Sequence, residues 1–446
     1  MMVSSRLRHL VFFFLASVSL LCSCDTAKTI EDPTKNHFIK YYGGDGDQEG
    51  VDAVVGKDGF IYLLGNTNTP TSRNGKQLYL VKADADGKLV WEKTFGGKFD
   101  EEAKDLEITT DDRLVILADS QKGFVDSDIL VMTVSLEGVK IDSVLIGLKT
   151  ISGAEADDNA SSVSQTADGF IVSGSTTGVS VKPNQGPEDV RDALHLRFTS
   201  NLTIFNNTIW KNISGSIGSD GATRVHQVNS GTYYVFGYTN IDVTGTSTID
   251  FNFWVYQLGA TGEANNSKMY PGAPVTNEKL TSVIASPLSS GDGFLLAGTS
   301  SNAVGSYDIY ITKLRKTLTF NAALDYQINN TLSQLNQPQS VTLGKLDIEK
   351  GNVSVFSSIY SGYLVLANEK SATTNNFYLT KIDIKGGFAW DNPENLIFGG
   401  QRDDFIGAVL ELADGKIILI GTMAIGDEGQ KKMALIKLNK EGKFLD

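Results

Sequence analysis

The sequence predicts an all-β fold, a seven-bladed β-propeller of four-stranded antiparallel blades. Three observations carry that prediction. One short apolar strand pattern recurs seven times along the chain. Around each copy lie further strand signals of period two, four to a unit. The units repeat every 50–60 residues or so, roughly the period of propeller blades with generous loops. The two ends also complement each other: the last unit lacks its final strand, and the first strand of the chain has no hairpin partner.

Strands are lettered a to d from the inside of the ring outwards. Strand b reads Phe60-Ile-Tyr-Leu-Leu-Gly65, Leu114-Val-Ile-Leu-Ala118, Phe170-Ile-Val-Ser-Gly174, Tyr233-Tyr-Val-Phe-Gly237, Phe294-Leu-Leu-Ala-Gly298, Tyr363-Leu-Val-Leu-Ala367 and Ile417-Ile-Leu-Ile-Gly421. Each copy ends in Gly or Ala, the mark of a close backbone neighbour. Strand c follows at 78–82, 129–133, 193–197, 253–257, 309–313, 377–381 and 433–437. Several c–d links carry a Gly after an acidic or polar residue, as at Asp86-Gly87, Glu137-Gly138, Thr261-Gly262 and Glu441-Gly442. That spacing suits a hairpin with Gly in the left-handed region. Strand d carries Trp91, Trp210 and Trp390, whose large rings are expected to cover the next blade.

Strand a is fainter, at 51–55, 103–108, 160–165, 222–227, 280–285 and 406–411. The sixth copy is placed at 353–357, which leaves 331–350 as an insertion. Closure is expected through His37-Phe-Ile-Lys-Tyr-Tyr-Gly-Gly44, which supplies the strand d missing after Met433-Ala-Leu-Ile-Lys-Leu438. A ring closed in this way leaves no broad sheet edge. A long β-sandwich is the competing fold; it explains neither seven copies in register nor the exchange of end strands.

The N-terminus reads as an address. Arg6 and Arg8 precede an apolar run at 10–21 that is too short for a comfortable bilayer span. Leu21-Cys22-Ser23-Cys24 then matches a lipobox, with Cys24 as the acylated residue. The domains expected are a signal segment at 1–23, an acylated cysteine and polar tether at 24–36, and the propeller at 37–446. An ordinary secretory signal cut nearby is the alternative. Cys22 and Cys24 are the only cysteines, so a lipid on Cys24 leaves no thiol for a disulfide, a zinc site or a nucleophile.

The chain holds 39 basic and 52 acidic residues, and loss of Arg6 and Arg8 takes the net charge from −13 to −15. That sign argues against nucleic acid as a partner and leaves no polybasic membrane patch. Acids recur instead. Asp47, Asp100, Asp157, Asp220 and Asp403 precede strands a; Asp128, Asp192 and Asp308 precede strands c. In a propeller both sets reach one face, which is expected to be acidic. One reading is a ligand- or cation-attracting mouth; the other is a set of Asx-turns that cap loop backbone. Asp45-Gly-Asp47-Gln-Glu49-Gly50 approaches a calcium loop but has Gly56 where the bidentate Glu belongs. No cofactor is expected, with calcium as the one candidate metal. His37, His195 and His226 fall in different units and make no ligand pair.

The run Trp91 to Gly97, with Asp58 to Thr67 and Tyr79 to Gly87, resembles the bacterial β-propeller repeat of secreted and lipid-anchored proteins, many from Bacteroidetes-like organisms. The resemblance spans roughly 37–446 and implies fold and envelope location, with no shared chemistry. Asp84-Ala-Asp-Gly-Lys-Leu-Val-Trp91 also looks like a piece of the pyrroloquinoline-quinone propellers. Trp is missing from most other strands d, so the piece reads as a hairpin with a packing anchor.

The functional expectation is a lipid-anchored envelope module, outer-membrane and periplasmic or surface-facing. It would bind a protein or glycan through loops on one face, the long b–c loops at 175–191 and 238–252 among them. Two alternatives stand beside it: a polysaccharide hydrolase or lyase with carboxylates at the channel mouth, and a structural subunit of an outer-membrane complex.

Overall fold

Alternating apolar runs of this length and spacing form strands, and no helix occurs among the described residues. A computed structural model of the protein describes residues 37–444 except 69–74, 98, 124–125, 151, 179–189, 205–210, 216–217, 242–247, 271–276, 286–292, 302–306, 316–352, 358–361, 371–373, 384–388, 391–396 and 427. The signal segment, Cys24, the tether, Trp210 and the insertion at 331–350 lie outside the described residues.

The first strand, β1 (Phe38–Tyr42), is set aside for closure. Blade 1 is β2 (Asp47–Val55), β3 (Ile61–Asn68), β4 (Gln77–Ala83) and β5 (Leu89–Phe95). Blade 2 is β6 (Asp100–Ile108), β7 (Arg113–Gly123), β8 (Asp126–Ser135) and β9 (Lys140–Ile146). Blade 3 is β10 (Asp158–Thr166), β11 (Gly169–Thr176), β12 (Asp192–Thr199) and β13 (Lys211–Ser214). Blade 4 is β14 (Asp220–Asn229), β15 (Thr232–Ile241), β16 (Thr248–Leu258) and β17 (Ala264–Tyr270). Blade 5 shows β18 (Asn277–Ala285), β19 (Gly293–Ser301) and β20 (Tyr307–Arg315), three strands among the described residues. Blade 6 is β21 (Val353–Ser357), β22 (Tyr363–Lys370), β23 (Asn375–Ile382) and β24 (Ile397–Phe398). Blade 7 is β25 (Phe405–Glu411), β26 (Ile417–Ile425) and β27 (Gln430–Leu438), completed on its outer side by β1. The fold is a seven-bladed propeller of antiparallel sheets.

Closure is as expected. β1 runs antiparallel to β27, from Phe38 opposite Lys437 to Tyr42 opposite Met433. Phe38 and Tyr42 turn inward onto Tyr79, Val81, Met433 and Leu435 in one apolar cluster shared by blades 7 and 1. Burying side chains of this size stabilises by roughly 1.5–3 kcal/mol each. Tyr42 also donates its hydroxyl to the Gly87 carbonyl of blade 1, at 2.8 Å.

The Gly at the end of strand b has a specific cause. A Cβ on Gly65 would collide with the Glu49 carbonyl oxygen, and Gly174, Gly237, Gly298 and Gly421 meet the equivalent carbonyl in their own blades. At this point strand a is bulged. The register slips between Gly50 and Asp52, Ala103 and Asp105, Ala160 and Ser162, Ala222 and Arg224, Leu280 and Ser282, and Ile406 and Val409. A bulge bends the strand and withdraws an N–H from the ladder. The preceding blade recovers it, using the residue just after the strand-b Gly or Ala. Asn66 Oδ1 accepts Ala103 N at 2.8 Å, Asp119 Oδ1 accepts Ala160 N at 2.7 Å, and Asn368 Oδ1 accepts Ile406 N at 3.2 Å. Thr422 Oγ1 accepts Gly50 N at 3.1 Å, which repeats the bond across the closure.

One outer anchor differs from its sequence reading. Trp91 lies in β5, but Trp390 precedes β24 instead of lying within it. Its ring still rests on the Gly442 turn of the next blade, as Trp91 rests on Gly138.

Candidate functional site

The d–a loops and the starts of strands c meet on one face, and a recurring clasp joins them across blades. Asp100 Oδ1 accepts Lys76 N at 2.8 Å while Glu101 N donates to Lys76 O at 2.9 Å. Asp403 Oδ1 accepts Asn375 N at 2.9 Å while Asp404 N donates to Asn375 O at 2.9 Å. Asp47 Oδ1 accepts Lys431 N at 2.9 Å, which joins blade 1 to blade 7. Asn277, a residue the acid pattern did not single out, does the same for Phe251 N at 2.9 Å. In each case a short side chain satisfies the first free N–H of the preceding blade's strand c.

The other acids of the set behave differently. Asp157 turns to Arg191, whose Nη1 donates to its Oδ2 at 2.7 Å. Asp220 belongs one position further along. It pairs with Thr239 as Asp158 pairs with Thr176 and Glu101 with Ser120, and all three acids are buried. The strand-a acids thus mix two registers, an exposed clasp position and a buried position beside it. The buried position also holds Gln48, Glu278 and Asp404. Asp404 accepts Gly400 N at 2.5 Å and Ala424 N at 3.1 Å.

Among the strand-c acids, Asp128 and Asp192 are buried, and the side chain of Asp308 lies outside the described residues. Asp128 is ion-paired with Lys122 and lies with Asp126 and Glu155 in one acidic group, ligand atoms within 4.8 Å of one another. Burial first, and Asp128 more weakly, push the Asp158 carboxyl up to about 6.

The loop at Asp45 to Gly50 surrounds an ammonium. Lys432, from the start of strand c in blade 7, is buried and donates to the carbonyls of Gly44 and Gly46 and to Gln48 Oε1, the last two at 2.9 and 2.7 Å. Glu49 faces two more lysines, Lys76 at 3.2 Å and Lys431 at 3.4 Å.

The channel carries the acids that sequence reading missed. Strands a line a central cavity of about 1300 Å³. Its wall has two characters. In blades 1 to 4 the positions after the bulge hold Asp52, Asp105, Glu107, Ser162, Arg224 and His226; in blades 5 and 7 Ile284, Ala408 and Leu410 face the same cavity. Asp52 Oδ2 accepts Leu106 N at 2.9 Å, and Asp105 Oδ2 accepts Val163 N at 2.7 Å. Asp52 also hydrogen-bonds Asp105. Burial and then the Asp105 charge raise the Asp52 carboxyl well above the usual carboxylate range. Glu107 lies 3.6 Å from Arg224. Burial pushes it up to about 7 despite that guanidinium. The signal for these residues was an acid where sister blades carry Ser, Ile or Leu, a departure from the repeat.

His195 is fully buried, and its Nε2 lies 2.5 Å from the Tyr256 hydroxyl of blade 4. Burial pulls its pKa down to about 3, so it is a neutral packing residue. His226 lies edge-on to Phe294, with ring centroids 5.2 Å apart.

No protein-family model matches the sequence, and no curated protein matches it. Solved structures do match in shape. A protein of unknown function from Bacteroides caccae aligns over 78% of this chain and 93% of its own, at 11% identity and a TM-score of 0.39. The extracellular domains 1–2 of Drosophila Semaphorin 1a align over 91% and 88%, at 8% identity and a TM-score of 0.50. An α-L-arabinofuranosidase from Fusarium graminearum aligns over 91% and 98%, at 10% identity and a TM-score of 0.46. At such identities the likeness is one of fold.

Proposed function

We propose that the protein is a binding module of the cell envelope, held to a membrane by a lipid on Cys24. Its partner is a protein or glycan, met by the loop face and the channel mouth. The observation that carries this reading is the employment of the recurring acids. Asp47, Asp100 and Asp403 each give an oxygen to a neighbouring blade's backbone, which makes the face a rigid frame. Rigid frames with variable loops are suited to recognition. The net charge of −15 after signal removal favours a partner other than nucleic acid.

Photo-cross-linking from Glu428 or Asn375, on intact cells, tests the reading. A single protein or glycan captured reproducibly supports it, and labelling no richer than from a site on the opposite face overturns it.

One observation favours hydrolysis as a second reading. Asp105 and Glu107 stand two residues apart on the channel side of β6, their backbone positions about 6.6 Å apart along the strand. Inverting glycosidases use two such carboxyls with room for a water between them. Glu107, pushed up to about 7, has the protonation of a general acid. Asp52 and Asp105, in hydrogen-bond contact, are too close to act as such a pair. Reducing-end release from a polysaccharide panel, lost in Glu107→Gln, would establish this reading in place of the first.

A further inference from the structure

Every exposed large hydrophobic side chain among the described residues lies on or beside an outer strand of blades 6, 7, 1 or 2. Ile39, Tyr41, Leu89, Val90, Val139 and Ile141 are between 38% and 62% exposed. The outer strand of blade 4 offers the contrast: Ala264, Asn265, Asn266 and Ser267 are exposed there, and three of the four are polar. These positions lie on the outer strands of consecutive blades. The Gly87 turn that leads into Leu89 lies against Phe38 and Lys40 of β1, and the Gly138 turn that leads into Val139 lies against Trp91 and Lys93 of β5. Exposed lysines Lys40, Lys88, Lys93 and Lys140 stand between the apolar groups, together with the exposed acids Asp86, Glu92, Glu137 and Asp142, so the rim carries no net positive patch. Lysines on outer strands discourage edge-to-edge pairing, but that role does not explain the hydrophobic side chains beside them. Contiguous exposed apolar surface marks an interaction site.

The chain itself names the occupant. β1 is the outermost strand of blade 7, so the polypeptide enters the propeller through this rim. Only the residues from 25 to 36 separate Cys24 from the first described residue, and such a segment reaches at most about 40 Å. A lipid on Cys24 therefore keeps the bilayer within that reach of Phe38, at the outer strand of blade 7. We infer that this rim rests on the lipid surface, with the apolar side chains at the headgroup boundary. The inference depends on the lipid-anchored reading above. Half-exposed side chains of this number bind a bilayer weakly by themselves. Tethering makes the encounter intramolecular, so a weak contact is enough to fix orientation. The ring axis then lies along the membrane, and both mouths of the channel open to the aqueous side.

The test uses the full-length lipidated protein in vesicles of phosphatidylethanolamine and phosphatidylglycerol. Nitroxides are placed by Val90→Cys, Val139→Cys and, as the control, Asn265→Cys. Collision rates are measured with oxygen, which concentrates in lipid, and with a water-soluble nickel chelate. The expected result is an oxygen-to-nickel ratio several-fold higher at 90 and 139 than at 265. Equal ratios at the three sites overturn the rim contact. Spin–spin broadening between copies at 90 or 139 overturns it in favour of self-association. Flotation of Cys24→Ser with the same vesicles is scored separately. A variant that still floats overturns the anchor, and the ratios at 90 and 139 then decide the rim contact on their own. A variant that no longer floats, with rim sites as wet as the control, overturns the rim contact alone.

Discussion

The acids of the loop face and the acids of the channel differ in what surrounds them. Asp100 and Asp403 are solvent-exposed and each accepts a backbone N–H from the blade before it. Asp52 and Glu107 also accept backbone N–H groups, but they do so inside the channel, where burial raises both carboxyls. The first set recurs because several junctions are closed by the same bond, as Asn277 also shows. The second set breaks the repeat, since blades 3, 4, 5 and 7 put no acid at the equivalent positions and carry Ser162, Arg224, His226, Ile284, Ala408 and Leu410 there. In a repeat protein, recurrence marks the work of the fold, and departure from recurrence marks candidate chemistry.

The largest effect expected is at the junction where the two ends meet. Lys432→Met removes the ammonium that the Gly44 and Gly46 carbonyls and Gln48 share, and leaves Gln48 Oε1 buried without that donor. A loss of about 3 kcal/mol is expected in denaturant unfolding. A loss below 1 kcal/mol or so would mean that water replaces the ammonium at little cost.

The next effect is in pH dependence. Glu107 at about 7, and Asp119 and Asp158 at about 6, bind protons more tightly when folded than when unfolded. Their contribution is complete below the unfolded carboxyl range and is lost as pH rises through 6 to 7. The melting temperature is therefore expected to fall by a few degrees between pH 5 and pH 8. Glu107→Gln removes the group at about 7 and should flatten part of that slope. An identical slope in the variant would show that Glu107 does not titrate in this window.

Smaller effects are expected on the loop face. Asp100→Ala and Asp403→Ala should each cost about 1 kcal/mol, the usual worth of one such bond. Because they lie at different junctions, the double variant should show the sum. Marked non-additivity would mean that the two clasps are coupled around the ring. The smallest effect expected is that of calcium. The Asp45 to Gly50 loop already surrounds Lys432, so added calcium should leave the parent melting temperature unchanged. A rise reversed by chelator would identify a calcium site, with Asp126, Asp128 and Glu155 the first residues to replace.

Much of the fold was legible because propeller strands are short, apolar and bounded by Gly. The seven b strands, the sixth strand a at Val353–Ser357 and the exchange of end strands were all readable as pattern. Asp220 was read one register away from Asp100, because both follow a Gly-containing loop and only the bulge counts the positions apart. The bulge itself left no local mark, since it arises from how tightly strands a crowd the axis. Lys432 was invisible as a loop ligand because it lies 384 positions from Gln48. Asp52 and Asp105 looked like ordinary strand-surface acids until neighbouring blades brought them together.

The strand exchange also sets an order of events during folding. Blades 1 to 4 each draw all their strands from a single stretch of chain, so their hairpins close early. Blade 7 is different: Phe38 must meet Lys437, so the first strand to be synthesised is the last to find its partner. Until then β1 and the open side of β27 remain unsatisfied. Ring closure is the one long-range step, slow in loop entropy but reached only when the whole chain is present. The propeller thus withholds its finished edge until β27 has been made, and the ring is sealed by its two most distant strands.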